Sequence, residues 1–224
     1  MPKARAGHMA AMFWLKAGCS GMSGKKNILL TGPPGSGKTT IIRRLIDLLP
    51  LGAAAGFYTE EIREGARRAG FAAQIVGGPR IVLARASGSG RYRVGRYAVE
   101  VAAFEELVLR PLRAALKDSS RRFLVIDEIG KMELLAPSFA NLVLACLEDP
   151  RPLVATVMLA PHPFADRIKA RPDVQVIVLT ADNRDRLPTE LAKRIIELAG
   201  AGRNGPSAGS PGGEKPCRGE SVEA

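Results

Sequence analysis

Cysteine is scarce in this sequence. Cys19, Cys146 and Cys217 stand far apart with no CxxC pair, so neither a disulfide framework nor a cysteine zinc site is indicated, and a reducing, cytoplasmic setting fits. Long apolar runs are absent too. The run MAAMFWL is too short to cross a membrane, and Lys16 interrupts it just before AGC, so LKAGC makes a poor lipoprotein cleavage site. No membrane association is expected. Acid is missing from two segments. Residues 1–26 hold Lys3, Arg5, Lys16, Lys25 and Lys26 without one carboxylate, and residues 61–97 set eight arginines against Glu61 and Glu64. Together these segments account for the net charge of +11, and the second implies an anionic partner, a polyphosphate or a nucleic acid. Aromatic residues make up only 5% of the chain, and Phe57, Tyr58, Phe71, Tyr92 and Tyr97 near the arginines are too few for a dense base-stacking surface.

What is present points to one ordered domain. A chain of 224 residues with 46% hydrophobic content can bury one ordinary core. Residues 1–26 form a basic extension expected to be disordered, with Met22 an alternative start. Residues 200–224 are rich in Gly, Pro and Ser and have almost nothing to bury, so a disordered tail is expected there. Residues 27–199 alternate between two periodicities. NILLT, AGFYT, RFLVID, LVATV and VQVIVL are short apolar runs, without polar alternation in RFLVID, as expected of strands buried on both faces of a parallel sheet. Helical stripes separate them: Ile41, Ile42, Leu45, Ile46 and Leu49; Phe104, Leu107, Val108, Leu112 and Ala115, bent at Pro111; Phe139, Leu142, Val143, Cys146 and Leu147; a short helix near FADRIK; and a last one from Arg186 to Leu198. GFAAQIV and RIVLA flank GGP, a hairpin signal, so residues 60–97 are expected to form an antiparallel insertion. The fold class is α/β, a doubly wound, mostly parallel sheet. Cys146 belongs to the core and His162, in APHPF, to a loop.

The stretch GPPGSGKTT matches G-x-x-x-x-G-K-[ST] between a strand and a helix, the context that a phosphate-binding P-loop requires. Gly32, Pro33, Pro34, Gly35, Ser36 and Gly37 form the loop whose backbone N–H groups turn inward around a β-phosphate. Lys38 reaches the β/γ oxygens, and the Thr39 hydroxyl coordinates Mg2+. Thr40 lies in the first turn of the helix, whose positive end favours the phosphates.

Downstream, FLVIDEIGKMEL sets Asp127 and Glu128 side by side at a strand's carboxyl end. Asp127 stands where a P-loop protein holds its magnesium. Glu128 projects in a different direction, and either orients and deprotonates an attacking water or caps the next turn. Hydrolysis is then the natural reaction, since a kinase needs an acceptor hydroxyl beside that base. Arg63, Arg67 and Arg68 either clamp a triphosphate or form a solvated or nucleic-acid-binding face. Asn183 and Arg184 follow a strand's carboxyl end, where open α/β sheets bind ligands, and are candidates for base or ribose contacts.

The segments TGPPGSGKTT, GFYTEEIREGARRAGF, VIDEIGKMEL, VGRY, ATV and Asn183-Arg184 resemble, in order and spacing, the P-loop nucleoside-triphosphatases of thermophiles, also called cancer-related nucleoside-triphosphatases. The resemblance spans residues 27–197 and is weakest over 77–91. It implies a RecA-like variant of the P-loop fold and magnesium-dependent hydrolysis of ATP, GTP and other NTPs to the diphosphate. In RecA-like folds a polar residue on the strand beside the magnesium carboxylate contacts the attacking water, and Thr156 is in that position; the alternative is that it only caps its strand. A nucleotide or polynucleotide kinase, or an NTP-switched RNA-binding module, are the competing readings.

Overall fold

In the computed structural model the described residues are 25–201. β1 (Asn27–Thr31) runs through the glycine-rich loop into α1 (Lys38–Leu48). Then come β2 (Ala54–Glu64), β3 (Arg67–Ile75), β4 (Arg80–Arg85), β5 (Tyr92–Val94) and β6 (Tyr97–Val99). One long helix, α2, joins Val101–Phe104, a π-helical stretch Glu105–Leu109, and Arg110–Ala115. β7 (Phe123–Ile129) leads into a 3-10 turn (Glu133–Leu135) and α3 (Phe139–Glu148). β8 (Leu153–Val157), α4 (Pro163–Lys169), β9 (Val174–Val178) and α5 (Leu187–Ala201) complete the order.

All nine strands form one sheet, in the order β5-β6-β4-β3-β2-β7-β8-β1-β9. From β2 to β9 neighbours are parallel, and from β2 out to β5 they are antiparallel. The insertion expected at residues 60–97 is therefore a continuation of the main sheet. Its cause is the length of β2. Residues Ala54 to Phe57 pair with β7, and from Phe57 onward the same strand pairs with β3 beyond the reach of β7.

Strand alternation divides the core between two faces. Ile28 and Leu30 of β1 pack with Ile41, Ile42 and Leu45 of α1 and with Leu191 and Ile195 of α5. Leu29, with Leu124 and Ile126 of β7, packs with α2 and α3 on the other face. Phe57, Phe104 and Phe139 meet there at centroid separations of 5.4 to 6.2 Å. Helices on both faces explain why NILLT and LVATV are buried at every position. The bend expected at Pro111 takes the form of the π-helical stretch just before it; proline has no N–H to donate, and the wider turn accommodates the break. His162 is the N-cap of α4, its Nδ1 accepting from Phe164 N–H at 3.2 Å. Cys146 is fully buried, and burial pushes its thiol up to about 12.

The basic extension and the Gly/Pro/Ser-rich tail lie almost wholly outside the described residues. Lys25 and Lys26, counted with the extension by sequence, are engaged with the domain. Lys25 Nζ donates to Val174 O at 3.1 Å, and Lys26 Nζ to Leu147 O at 2.6 Å, so two of the five amino-terminal cations close the ends of neighbouring elements. At the other end α5 extends to Ala201, just past the expected boundary.

One glycine sets a hard limit on this packing. Gly56 has φ 143°, and a Cβ there would lie 1.7 Å from the Val125 carbonyl oxygen of β7. Gly56→Ala should destabilise the fold by about 3 kcal/mol or more, lowering the unfolding temperature by roughly 6–12 °C in a thermal melt.

Candidate active site

The glycine-rich loop leaves β1 at its carboxyl end, where ligands of open α/β sheets collect. Gly35 (φ 77°) and Gly37 (φ 99°) take left-handed conformations, which turn the loop back on itself. Ser36 N–H closes a turn onto Pro33 O at 3.2 Å, and Ile41 N–H bonds Gly37 O at 3.0 Å to begin α1. No acidic residue occupies the first turn of α1, so its free N–H groups present an undiminished positive end. Lys38 Nζ lies against the loop, donating to Gly32 O at 3.1 Å and Pro33 O at 3.4 Å, and sits 3.8 Å from Glu128 Oε1.

Asp127 is the point on which the elements converge. Its carboxylate is 1% exposed. Oδ2 accepts from Thr39 Oγ1 of α1 at 2.8 Å and from the Thr59 N–H of β2 at 3.3 Å, while Oδ1 accepts from Thr156 Oγ1 of β8. Burial raises its carboxyl above the ordinary range, against the pull of the Thr156 and Thr39 hydroxyls, the Thr59 N–H and the Lys38 charge. Such a carboxylate is short of positive charge, and together with the Thr39 hydroxyl it makes a hard oxygen donor pair. That pair fits a magnesium ion held chiefly by substrate phosphates.

Glu128 follows through a cis peptide bond and faces a cavity of about 620 Å³ that it shares with Lys38, Thr59, Lys131 and Glu133. Burial raises its carboxyl, Lys38 lowers it and Asp127 raises it. Phe71 of β3, Val94 of β5, Met132 and Met158 give the cavity apolar walls. A second cavity, about 400 Å³, opens at the opposite end of the sheet beside Arg151 and Arg121. Those guanidiniums are spent on main-chain carbonyls and on Asp149 and Asp118.

The structure thus brings Gly32 to Thr40, Asp127, Glu128 and Thr156 to one edge. It does not join Asn183 and Arg184 to that cluster. Asn183 holds the turn after β9, donating to Val178 O at 2.9 Å and accepting from Thr180 N–H at 3.0 Å, and Arg184 lies 3.8 Å from Asp185. Their loop still abuts the phosphate loop, since Leu179 N–H bonds Thr31 O at 2.7 Å. Arg63 and Arg68 converge on Glu61 near the β2–β3 turn, and neither they nor Arg67 line the cavity.

Two residues of the site carry no role in the motif pattern. Thr59, halfway along the long β2, lies two residues beyond the last β2–β7 backbone pair, level with the carboxylates of β7, and so reaches Asp127. Glu133 is buried beside the cavity, where an added Gly130 Cβ would lie 2.8 Å from its Oε2. A glutamate among the apolar neighbours of KMELL was the available signal. Burial pushes its carboxyl up to about 8; its own N–H and that of Gly130 pull down, while Glu128 and Asp127 push up.

A doubly wound sheet with a phosphate loop at the carboxyl end of β1 and a buried aspartate facing it from β7 defines a P-loop nucleotide-binding protein. Residues 27–192 match a family model described as NTPase. The nucleoside-triphosphatase THEP1 of Natranaerobius thermophilus is 44% identical over 179 residues, covering 77% of this chain and 98% of that protein. The human cancer-related nucleoside-triphosphatase is 39% identical over 175 residues, covering 72% and 92%. The crystal structure of THEP1 from Aquifex aeolicus superposes with a TM-score of 0.67 at 35% identity, covering 75% of this chain and 98% of that one. The chain belongs to this family of nucleoside-triphosphatases. Among the described residues, no helix is long and apolar enough to cross a membrane.

Glu133 gives the site a pH signature. From its ordinary 4.5 up to about 8 the folded protein keeps a proton that the unfolded chain has released, so stability falls as pH rises through that window. In metal-free protein, Glu133→Gln should be more stable than wild type at pH 9 by at least about 1 kcal/mol, or roughly 2–4 °C, with the gap shrinking toward pH 5. Thermal melts across that range test it, and a gap independent of pH would refute the assignment.

Proposed function

We propose that this enzyme hydrolyses ATP, GTP and other NTPs to the diphosphate and phosphate with magnesium. The observation that carries the reading is the convergence of Thr39, Asp127 and Thr156 beside Lys38 and Glu128. Backbone N–H groups of residues 35–40 and the Lys38 ammonium hold the phosphates. Thr39 and Asp127 would hold the magnesium, which when bound neutralises charge on the β- and γ-phosphate oxygens. Glu128 faces the cavity and takes the proton of the attacking water. The new bond forms between that oxygen and the γ-phosphorus, and the bond to the β–γ bridging oxygen breaks, its electron pair leaving with the diphosphate. Thr156 donates its hydroxyl to Asp127, which supports a role in orienting the magnesium carboxylate in place of the expected contact with the attacking water. Asn183 and Arg184, on the loop after β9, would contact the nucleobase or the ribose of the bound nucleotide. Residues 27–199 form the catalytic domain in this reading.

A second reading follows from the size of the cavity, which exceeds what one water needs. An acceptor hydroxyl seated there would make the enzyme a kinase. Resolving the products of each NTP, with and without RNA and a panel of nucleosides, separates them: free phosphate alone supports hydrolysis, and a phosphorylated acceptor supports transfer.

The two carboxylates should fail differently. Asp127→Asn should weaken metal-dependent NTP binding and turnover together, with partial recovery at high magnesium. Glu128→Gln should lower turnover by roughly two to four orders of magnitude while NTP affinity stays nearly intact. Calorimetric binding beside single-turnover hydrolysis distinguishes them, and normal hydrolysis by Glu128→Gln would reduce Glu128 to a turn cap.

A further inference from the structure

A P-loop enzyme must neutralise charge on the equatorial oxygens of the γ-phosphoryl group as it leaves. Lys38 alone is a thin supply, since it also serves the β-phosphate and is drawn toward Glu128. The basic insertion looks like the natural source of a second cation, yet five of its eight arginines are engaged elsewhere and none of the eight lines the cavity in front of Glu128. Arg63 and Arg68 meet Glu61, and Arg80 lies 3.5 Å from Glu60. Arg93 bonds the carbonyls of Gly88 and Arg96, and Arg96 bonds Arg68 O. None of these guanidiniums lines the cavity in front of Glu128.

Two cations do line it, Lys38 and Lys131. Lys131 follows Glu128 by three residues, on the turn that leaves β7. Leu134 N–H closes that turn onto Gly130 O at 3.1 Å, and the Glu133 carboxyl is buried beneath it, so the backbone carrying Lys131 is fixed. The Lys131 side chain itself is exposed and makes no hydrogen bond or ion pair among the described residues. An ammonium with three donors and no partner, on a fixed turn beside the base, suits a group whose charge spreads over three oxygens.

We propose that Lys131 is a catalytic residue of this site: its ammonium reaches the γ-phosphoryl oxygens and stabilises them in the transition state, an intramolecular counterpart of an arginine finger. This rests on the hydrolysis reading above. The interaction strengthens as charge develops, so its loss should appear in turnover and leave ground-state binding nearly unchanged.

The test uses the full chain, with magnesium and ATP. Lys131→Met should lower single-turnover hydrolysis about 100-fold or more, with affinity for a non-hydrolysable ATP analogue within about threefold of wild type. It should also fail to trap ADP with aluminium fluoride, a mimic of the planar phosphoryl group that wild type retains. Lys131→Arg should keep the trap and at least about a tenth of the rate. Lys131 is exposed, so melts of both variants should match wild type. Trapping and turnover within threefold of wild type in Lys131→Met would overturn the proposal, as would a loss of analogue binding equal to the loss of rate. A wild type that releases no phosphate from ATP overturns the hydrolysis reading, and this inference with it.

Discussion

The buried carboxylate of Asp127 is the constraint from which the geometry of the active edge follows. Thr39 approaches it from the helix after the phosphate loop, Thr156 from β8 and Thr59 from β2. These groups arrive from three different parts of the chain, and β8 lies between the strand that bears the loop and the strand that bears the aspartate. A shift in the register of any one strand would remove a donor from a carboxylate that water cannot reach, at a cost of about 1–3 kcal/mol or more. The same buried charge favours a cation at this edge, so one group both registers the strands and prepares the site.

Much of this was legible in the sequence, because the informative signals were local. The phosphate loop needs specific residue types at fixed spacing, and a strand buried on both faces shows as an unbroken apolar run. RFLVID announced β7 and the carboxylates at its end. The contributions of Thr59 and Glu133 were not legible in that way. Thr59 depends on the register of β2 against β7, a tertiary quantity with no local signature. Glu133 has only the weak signal of one charge among the apolar residues of KMELL, and the packing of the turn after β7 shows that its carboxyl is inside.

Charge is a coarser signal than the motifs, because sequence does not show which cations are paired. Eight arginines in residues 61–97 suggest a free basic patch. In the folded chain Arg63 and Arg68 pair with Glu61, Arg80 with Glu60, and Arg93 and Arg96 with main-chain carbonyls. Several of these pairs are substantially exposed and contribute little individually to stability. The strand ladders hold the antiparallel extension together, and these contacts decorate its polar rim. Net charge therefore overstates how many of these cations stand free to meet an anion.

That extension also shapes the site. Strands β3 and β5 would be remote from a phosphate loop on β1 if the sheet were flat, with β2, β7 and β8 intervening. Sheets twist, and over this many strands the accumulated rotation lifts the far edge above the carboxyl ends of the central strands. Phe71 and Val94 reach the cavity that also holds Lys38 and Glu128. The antiparallel half thus supplies an apolar wall on the side away from β9. A wall of this kind lowers the local dielectric in front of Lys38 and Glu128, which strengthens the action of the charges there on an anionic ligand. The parallel half of the sheet brings the polar and charged groups together, and the antiparallel half sets the medium around them.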